Sequence, residues 1–356
     1  MTRAERDETL AMLREAARDF CAAELERPVT DEPGLRALWM QMAQLGWLGV
    51  ALPEATGGSG LGLAGAGMIA LELGAVAQMR GFAETVAVSA VLAAQDTALA
   101  RSLLPDVAAG AIEFAFDPQP HAQGATNAAG VLLAPAGASR LLLVDFSEGQ
   151  GLRLLEVTDP MALQPALTTA RSIDVRVAGS ALHVAGVLGE GEQAQAIWAE
   201  LNASYRCLVG ALLVGATRSG LRIAIDYARV RSQFGQVIGS FQAVQHALVD
   251  VLGAVDAAEM LSLRALLQLD KRAADRRWIA AASTSFARET AWSGLMKVYD
   301  VMGGVGFMED HPLSGMTRAL VSLMARLGGA ADCDSAVADF VRPGHWIESP
   351  DTSLPR

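Results

Sequence analysis

The spacing of apolar residues changes twice along the chain. Over residues 1–112 apolar side chains recur every three or four positions, which is the period of a helix with one buried face. Over residues 113–191 they gather into short runs rich in Leu and Val, separated by turns that contain Gly or Pro, as is typical of strands. The helical period returns over longer stretches in residues 192–345, and residues 346–356 are predicted to form a tail.

The grouping of the predicted strands indicates the fold class. Strands that follow one another without intervening helices disfavour a parallel doubly wound sheet. The predicted strands are 131–134, 141–146, 152–157, 173–177 and 181–188. Four long helices predicted after them would form a bundle, the third over 277–302 and the fourth over 313–327. We therefore predict an α+β protein, mostly α, with an N-terminal helical domain, a small middle β domain and a C-terminal four-helix bundle.

Charge and cysteine usage narrow the classes of function. Lys and Arg number 28 against 39 Asp and Glu, and the net charge of −11 repels phosphate backbones, so nucleic acid is not an expected partner. The three cysteines are far apart and no histidine spacing indicates a metal site. The N-terminus lacks the apolar segment of a secretory signal, and the longest apolar run, Cys207 to Ala216, is half of the ~20 residues that a membrane span needs. We expect a cytoplasmic protein without a membrane span.

One glycine pattern matches a dinucleotide-binding motif in its letters. Gly60, Gly62 and Gly65 have the GxGxxG spacing. The motif needs a strand directly before it and a helix after it within a βαβ unit, whereas here a loop from Pro53 to Ser59 intervenes. We interpret it as a glycine-rich loop before a helix.

The most informative stretch runs from Asp226 to His246. A helix is predicted to end near Arg231, a tight Phe-Gly turn follows at Phe234, and a second helix begins near Gln242. An arginine at such a corner can hold a phosphate with two hydrogen bonds, and a glutamine in the first turn of the next helix can donate to it. The alternative is that Arg231 forms a surface ion pair and Phe234 packs between the helices.

Three segments resemble the acyl-CoA dehydrogenase family. The stretch 227–245 is similar to the family pattern Y-A-x-x-R-x-x-F-G-x-x-I-x-x-x-Q-x-x-Q. The stretch 45–58 resembles L-G-x-x-G-x-x-x-P-E-x-x-G-G, and the stretch 303–312 resembles G-G-x-G-F/Y-x-x-E-x-P. The resemblance covers nearly the whole chain and implies the family's order of domains.

The resemblance implies FAD as the cofactor. Enzymes of this family remove two hydrogens from the α and β carbons of an acyl-CoA thioester: a glutamate takes the α proton and FAD accepts the hydride. By resemblance, Arg231, Phe234 and Gln242 would contact FAD across an interface between subunits. The turn at Gly303 and Gly304 would do the same, since glycine lets the backbone approach a cofactor closely.

The resemblance also implies a substrate and partners. Arg206 occupies the place of a substrate-contacting arginine, with an ion pair inside the bundle as the alternative. The substrate would be an acyl-CoA, the assembly a homo- or hetero-oligomer with another acyl-CoA dehydrogenase chain, and the electron acceptor an electron-transfer flavoprotein. The acyl group stays open, because the small residues between Gly210 and Gly220 suit either a roomy pocket or close helix contact.

The residue expected to take the proton is missing. The family's two glutamate positions correspond to Leu327 and Tyr205 in this chain. A tyrosine, with an ordinary pKa of about 10, is a poor base at neutral pH. The catalytic base is therefore unassigned. Carboxylates that stay open as a relocated base are Glu113, Asp117, Asp332 and Asp334.

Two hypotheses of different class follow. The middle domain is short and lacks the family's stretch for the flavin ring, whereas the residues that would serve a neighbouring chain's FAD are kept. The chain is either an acyl-CoA dehydrogenase that carries out α,β-dehydrogenation with a relocated base, or a non-catalytic structural partner. In the second case it resembles the shortened subunit of bacterial heteromeric members of the family.

Overall fold

A computed structural model describes most of the chain. The described residues are 3–25, 29, 32–77, 81–116, 140–147, 151–157, 163–169, 172–177, 182–328 and 330–341. The predicted strand 131–134, Asp117 and the predicted tail lie outside these ranges, as does the side chain of Asp332.

Five helices form the N-terminal part. They are α1 (Arg3–Glu24), α2 (Glu32–Gln44), α3 (Gly62–Ala75), α4 (Phe82–Gln95) and α5 (Ala98–Ala108). Helices α3 and α4 are apolar on most of their surface and bury most of their residues, because they lie between the outer helices and the C-terminal bundle. The Trp39 indole donates to the Gly110 carbonyl at 3.0 Å and so joins α2 to the segment before the first strand.

The middle part is a small mixed sheet with a separate hairpin. The strands are β1 (Ile112–Phe116), β2 (Arg140–Ser147), β3 (Gly151–Val157), β4 (Leu163–Thr169), β5 (Ser172–Val177) and β6 (Leu182–Gly189). In the order β1-β2-β3-β6, β1 runs parallel to β2 and the other pairs are antiparallel, while β4 pairs with β5 alone. The strands predicted at 141–146, 152–157, 173–177 and 181–188 are confirmed to within about two residues, whereas β1 and β4 were not predicted.

The C-terminal part is the predicted bundle with one further helix. Its helices are α6 (Gly191–Val230), α7 (Gln242–Asp270), α8 (Arg276–Met302), α9 (Pro312–Arg326) and α10 (Ala330–Val341). The four-helix bundle and the α+β, mostly α, class are confirmed, and α10, which packs on α8, was not predicted. The exact domain bounds stay predictions.

Helix α6 is the centre of the molecule and touches α3 through bare backbone. A Cβ at Gly215 would lie 1.9 Å from the Leu71 carbonyl oxygen, and one at Gly74 would lie 2.1 Å from that of Leu212. Only glycine lets the two helices come this close. Of the two explanations for the small residues of α6, close helix contact therefore holds at this crossing.

The same helix explains an apparent membrane span. By length and composition alone, Gly191–Val230 could cross a membrane, but 72% of its most apolar window is buried inside the fold. The core helix of a water-soluble protein passes the same test, and the burial of α6 against α3, α7 and α8 accounts for its apolar character.

The GxGxxG pattern spans the start of a helix: Gly60 lies in the predicted loop, whereas Gly62 and Gly65 belong to α3. Gly62 faces a carboxylate of this chain. Asp270, at the end of α7, accepts hydrogen bonds from the backbone N–H groups of Leu63 at 2.7 Å and Ala64 at 3.1 Å. A Cβ at Gly62 would lie 2.6 Å from that carboxylate. The N-terminus of α3, where a dinucleotide phosphate would bind in a Rossmann fold, is thus occupied by Asp270.

Candidate functional site

The corner between α6 and α7 is a short hairpin. Strands β7 (Ser232–Gln233) and β8 (Gln236–Val237) pair antiparallel, and the two residues between them have positive φ, 53° at Phe234 and 82° at Gly235. Positive φ at both positions is what a two-residue turn of type I′ requires. The Ile238 N–H donates to the Arg231 carbonyl at 2.7 Å and closes the corner. The predicted Phe-Gly turn is confirmed.

The hairpin presents its predicted site residues to the outside. Phe234 is 93% exposed, and its ring stands nearly perpendicular to that of Phe241 at a centroid distance of 6.3 Å. Arg231 follows the last residue of α6, is exposed, and forms no ion pair with any described residue. Gln242, also exposed, is the first residue of α7, so its side chain stands beside the free N–H groups of a helix N-terminus. Among the described residues, the surface ion pair considered for Arg231 is therefore not formed.

The Gly303–Gly304 turn lies at the same end of the bundle. Helix α8 returns antiparallel to α7 after a short connection and ends there, at Met302. Gly303 has φ 59° and ψ −148°, a conformation that is essentially restricted to glycine. A Cβ at either glycine would meet no described atom within 4 Å, so the backbone of this turn is open to another molecule.

Arg206, Tyr205 and Leu327, which the sequence analysis also singled out, lie close together inside the molecule. Arg206, on α6, donates from Nη2 to the carbonyl of Leu327 at 3.0 Å, at the end of α9. Tyr205 precedes Arg206 and is completely buried. The structure thus brings together Tyr205 and Leu327, the two positions at which the resemblance leads us to expect the glutamate. Among the described residues, Arg206 binds a backbone carbonyl and forms no ion pair.

A carboxylate that the sequence did not single out lies between these positions. Glu84, in the first turn of α4, accepts hydrogen bonds at Oε1 from the Tyr205 hydroxyl at 3.3 Å and from Arg326 Nη1 at 2.8 Å. The side chains of Glu84 and Arg326 are only 3% and 9% exposed. We call Glu84, Tyr205 and Arg326 the buried triad. The only sequence signal for it was a single acidic residue in the otherwise apolar helix α4.

The electrostatics of the buried triad exclude Tyr205 as a base at neutral pH. Burial, and next the negative charge of Glu84, raise the pKa of the Tyr205 phenol well above its ordinary value, and the opposing effect of Arg326 is smaller. The phenol therefore stays protonated and donates to Glu84. Leu327 has no ionisable group, so neither of the two positions expected from the resemblance carries a base at neutral pH.

The carboxylates that were considered as a relocated base lie elsewhere. Glu113 is fully buried on β1 in the middle domain. Asp334, on α10, is exposed and accepts a hydrogen bond from Ser285 at 2.7 Å. No interaction that the structure describes brings either of them to Tyr205 or Leu327.

Metal-ligating and thiol chemistry find no support in the described ranges. Within them no three His, Cys, Asp or Glu side chains come together as a metal site would require. Burial, with a smaller contribution from the charge of Glu72 at Cys21, raises the pKa of the Cys21 and Cys207 thiols to about 12, so neither is a nucleophile at neutral pH.

Comparison with known proteins gives matches over most of the chain. The model of the acyl-CoA dehydrogenase N-terminal domain matches residues 7–111, and that of the C-terminal domain matches residues 194–332. The probable acyl-CoA dehydrogenase FadE25 of Mycobacterium tuberculosis is 34% identical over 113 residues, 32% of this chain and 29% of FadE25. Acyl-CoA dehydrogenase FadE34 of that species is 28% identical over 299 residues, 83% of this chain and 40% of FadE34. The matched stretches span less than half of either relative.

The fold agrees with these matches. The steroid ACAD Tcur3481-Tcur3483 has a solved structure that superposes with a TM-score of 0.79 at 25% identity, over 94% of this chain and 98% of that chain. The resemblance carried by three short motifs is confirmed over both helical parts. The chain belongs to the acyl-CoA dehydrogenase family.

Proposed function

We propose that this chain is the non-catalytic subunit of a heteromeric acyl-CoA dehydrogenase. It would complete the FAD site of a partner chain, and the partner would supply the glutamate that takes the α proton of the acyl-CoA. The observation that supports the proposal is the buried triad: at the positions where the resemblance leads us to expect the base, this chain has a phenol and, beside it, an ion pair of its own residues.

The buried triad is suited to structure rather than to proton transfer. A general base must reach the proton that it abstracts. The side chain of Glu84 is only 3% exposed, and its Oε1 already accepts from both Tyr205 and Arg326. Arg326 stays charged at any pH at which the protein is folded, so ionised Glu84 remains held by a fixed cation. Substrate would have to displace this pair to reach the carboxylate.

The outer corner, in contrast, fits an anionic dinucleotide. The guanidinium of Arg231 is exposed and uncommitted among the described residues, and the N-terminus of α7 at Gln242 attracts negative charge. The open backbone at Gly303 and Gly304 leaves room for a flat ring or a pyrophosphate to approach. These residues and Phe234 would hold FAD against the partner chain. FAD, when bound, supplies the hydride acceptor.

The comparison supports an assembly of two different chains. The solved steroid ACAD carries the names of two proteins, Tcur3481 and Tcur3483, and this chain covers 98% of the chain it matches there. We infer an acyl-CoA substrate for the assembly, an electron-transfer flavoprotein as its electron acceptor and a cytoplasmic location. In this arrangement the pocket of the partner chain determines which acyl group is accepted.

One observation favours a second candidate, a complete dehydrogenase with Glu84 as its base. The Glu84 carboxylate lies 3.3 Å from the phenol at one family base position. This candidate requires dehydrogenase activity from the chain alone, loaded with FAD, and loss of that activity in Glu84→Gln with the fold retained. The subunit proposal expects no such activity in either protein.

The experiment for the proposed function compares two arginines at the same corner. The chain is co-expressed with a glutamate-bearing acyl-CoA dehydrogenase of its own organism, and FAD per complex is read from visible absorption. Arg231→Ala is expected to lower FAD content at least fivefold. Arg229→Ala is the matched control, because Arg229 is exposed in the last turn of α6 and only weakly paired with Asp226 at 3.5 Å. Equal FAD content in both variants would refute the role of Arg231.

A further inference from the structure

A cleft of about 500 Å³ opens at the opposite end of the bundle from the hairpin, where α7 turns back into α8. Its walls come from the C-terminal half of α4, the first turns of α6 and the connection between α7 and α8. Helix α7 has 29 residues, which corresponds to about 43 Å at the rise of an α-helix, so the cleft is remote from the proposed FAD corner. Its volume lies in the range of small-molecule sites.

The mouth of the cleft has an excess of positive charge. Arg272, Arg276 and Arg277 line it, against the carboxylates of Glu200 and Asp270. Asp270 lines the cleft but already accepts hydrogen bonds from the α3 N-terminus and from Arg6, the latter at 3.2 Å. Three guanidinium groups therefore share one available carboxylate.

Glu200 leaves part of this charge uncompensated. Arg276 binds it with two hydrogen bonds, at 2.8 and 3.1 Å, and Arg277 binds it through Nε alone at 2.9 Å. The two terminal nitrogens of Arg277 make no hydrogen bond to any described residue, and the same is true of the whole Arg272 guanidinium. A pair of free guanidinium edges beside a helix N-terminus is a strong attractor for an oxyanion.

The interior of the cleft is apolar with one unsatisfied amide. Ala90, Val91 and Ala94 of α4 face Ile197 and Leu269 across it. The amide oxygen and nitrogen of Gln95 are shielded from solvent and have no hydrogen-bond partner in the described part of the chain. A shielded amide without partners is destabilising, so a polar ligand or a water molecule is expected to satisfy it.

We propose that this cleft binds a small amphipathic anion, with a carboxylate or phosphate between Arg272 and Arg277 and an apolar body along α4. Carboxylate and phosphate share the geometry that a guanidinium edge recognises, so the two headgroups are separated by experiment. This binding does not depend on FAD or on a partner chain, because none of these residues belongs to the hairpin or to the turn at Gly303.

The test measures binding of three eight-carbon probes to the full chain by titration calorimetry. Octanoate, octyl phosphate or both are expected to bind, and octanol is expected to bind at least tenfold more weakly. The double variant Arg272→Ala/Arg277→Ala is expected to lower the affinity for the anions at least tenfold. Arg264 is an exposed arginine of α7 outside the cleft, and Arg264→Ala is expected to leave that affinity unchanged.

A second variant tests the apolar wall. Ala94→Phe, at an exposed position on the rim, should fill the cleft and abolish binding without loss of the folded state, as checked by thermal unfolding. Equal affinity for octanol and the anions, unchanged affinity in the double variant, or no binding of any probe would each overturn the proposal. FAD content of the co-expressed complex should be the same in Arg272→Ala/Arg277→Ala as in the native chain, which separates this test from that of the proposed function.

Discussion

At the scale of single residues, Glu84 and Arg326 form an ion pair that is almost wholly withdrawn from water. Removing one partner of such a pair leaves a buried charge without compensation. Glu84→Gln is therefore expected to lower the free energy of unfolding by about 3–5 kcal/mol, and Arg326→Leu by a similar amount. The double variant Glu84→Gln/Arg326→Leu should recover most of the loss, as measured by urea unfolding.

The exposed ion pair Arg101–Asp96 is the control for these substitutions. Its nitrogen and oxygen are 2.6 Å apart, but the side chains are 58% and 78% exposed. Asp96→Asn should change the free energy of unfolding by less than about 1 kcal/mol. Losses in the single variants at Glu84 and Arg326 no larger than this would contradict an ion pair that is buried and stabilising.

The two parts of the candidate site differed in how far the sequence could predict them. Arg231, Phe234 and Gln242 lie within twelve residues of one another, so turn chemistry and helix ends alone predicted their arrangement. Glu84 is 121 residues from Tyr205 and 242 from Arg326, and only the folded chain joins them. Because no periodicity or local motif records such a contact, sequence patterns pointed to other carboxylates and left Glu84 out.

At the scale of elements, the contact between α3 and α6 depends on Gly215. Gly215→Ala would drive a methyl group into the Leu71 carbonyl, where a Cβ would lie only 1.9 Å from the oxygen. We expect a loss of at least about 3 kcal/mol in unfolding free energy, since neither backbone can move without disturbing the core. Thermal or urea unfolding followed by circular dichroism measures it.

Gly253 is the matched control within the same bundle. It lies in the middle of α7 and is exposed, and a methyl group added at its Cα would meet no described atom within 4 Å. Gly253→Ala should stabilise the protein by about 0.5–1 kcal/mol, since alanine has less conformational freedom to lose on folding. A similar effect of both substitutions would show that α3 and α6 do not touch through their backbones.

Long elements with several repeats of the apolar pattern were predicted, whereas two short strands were missed. Helices α6 to α9 carry several turns of apolar stripe, which distinguishes them from any strand. Strand β1, by contrast, has five residues and follows a helix directly, and β4 contains Pro165, which disfavours a strand. Tertiary contacts, rather than local preference, give these two segments their conformation.

The link between α6 and α8 through Glu200 should make stability depend on pH. Burial opposes ionisation of Glu200, but the hydrogen bonds from Arg276 and Arg277 outweigh it and lower the pKa of the carboxyl below its ordinary value of 4.5. A lowered folded-state pKa means that the ionised form stabilises the fold. Its contribution is complete above about pH 4.5 and is lost as the pH falls through the lowered pKa.

The measurement compares the native chain with Glu200→Gln by urea unfolding at several pH values. The native chain should be the more stable at pH 7, and the difference in unfolding free energy should narrow as the pH falls below 4.5. A difference that stays constant down to about pH 3 would contradict a charged contact between α6 and α8.

At the scale of the whole molecule, the two ends of the bundle carry different surfaces. One end has the exposed hairpin and the open glycine turn, which suit a cofactor shared with another chain. The other end has the arginine-lined cleft. Between them lies the buried triad. The molecule has the family's fold, and under the proposed function its outer corner holds FAD while a partner chain supplies the base.

The measurement that tests this account most directly is the FAD content of the chain expressed alone and together with a glutamate-bearing family member. We expect little flavin in the purified single chain, and flavin close to stoichiometric in the complex, together with dehydrogenase activity on an acyl-CoA. Nearly stoichiometric FAD in the chain alone, with dehydrogenase activity that Glu84→Gln abolishes while the fold is retained, would contradict it.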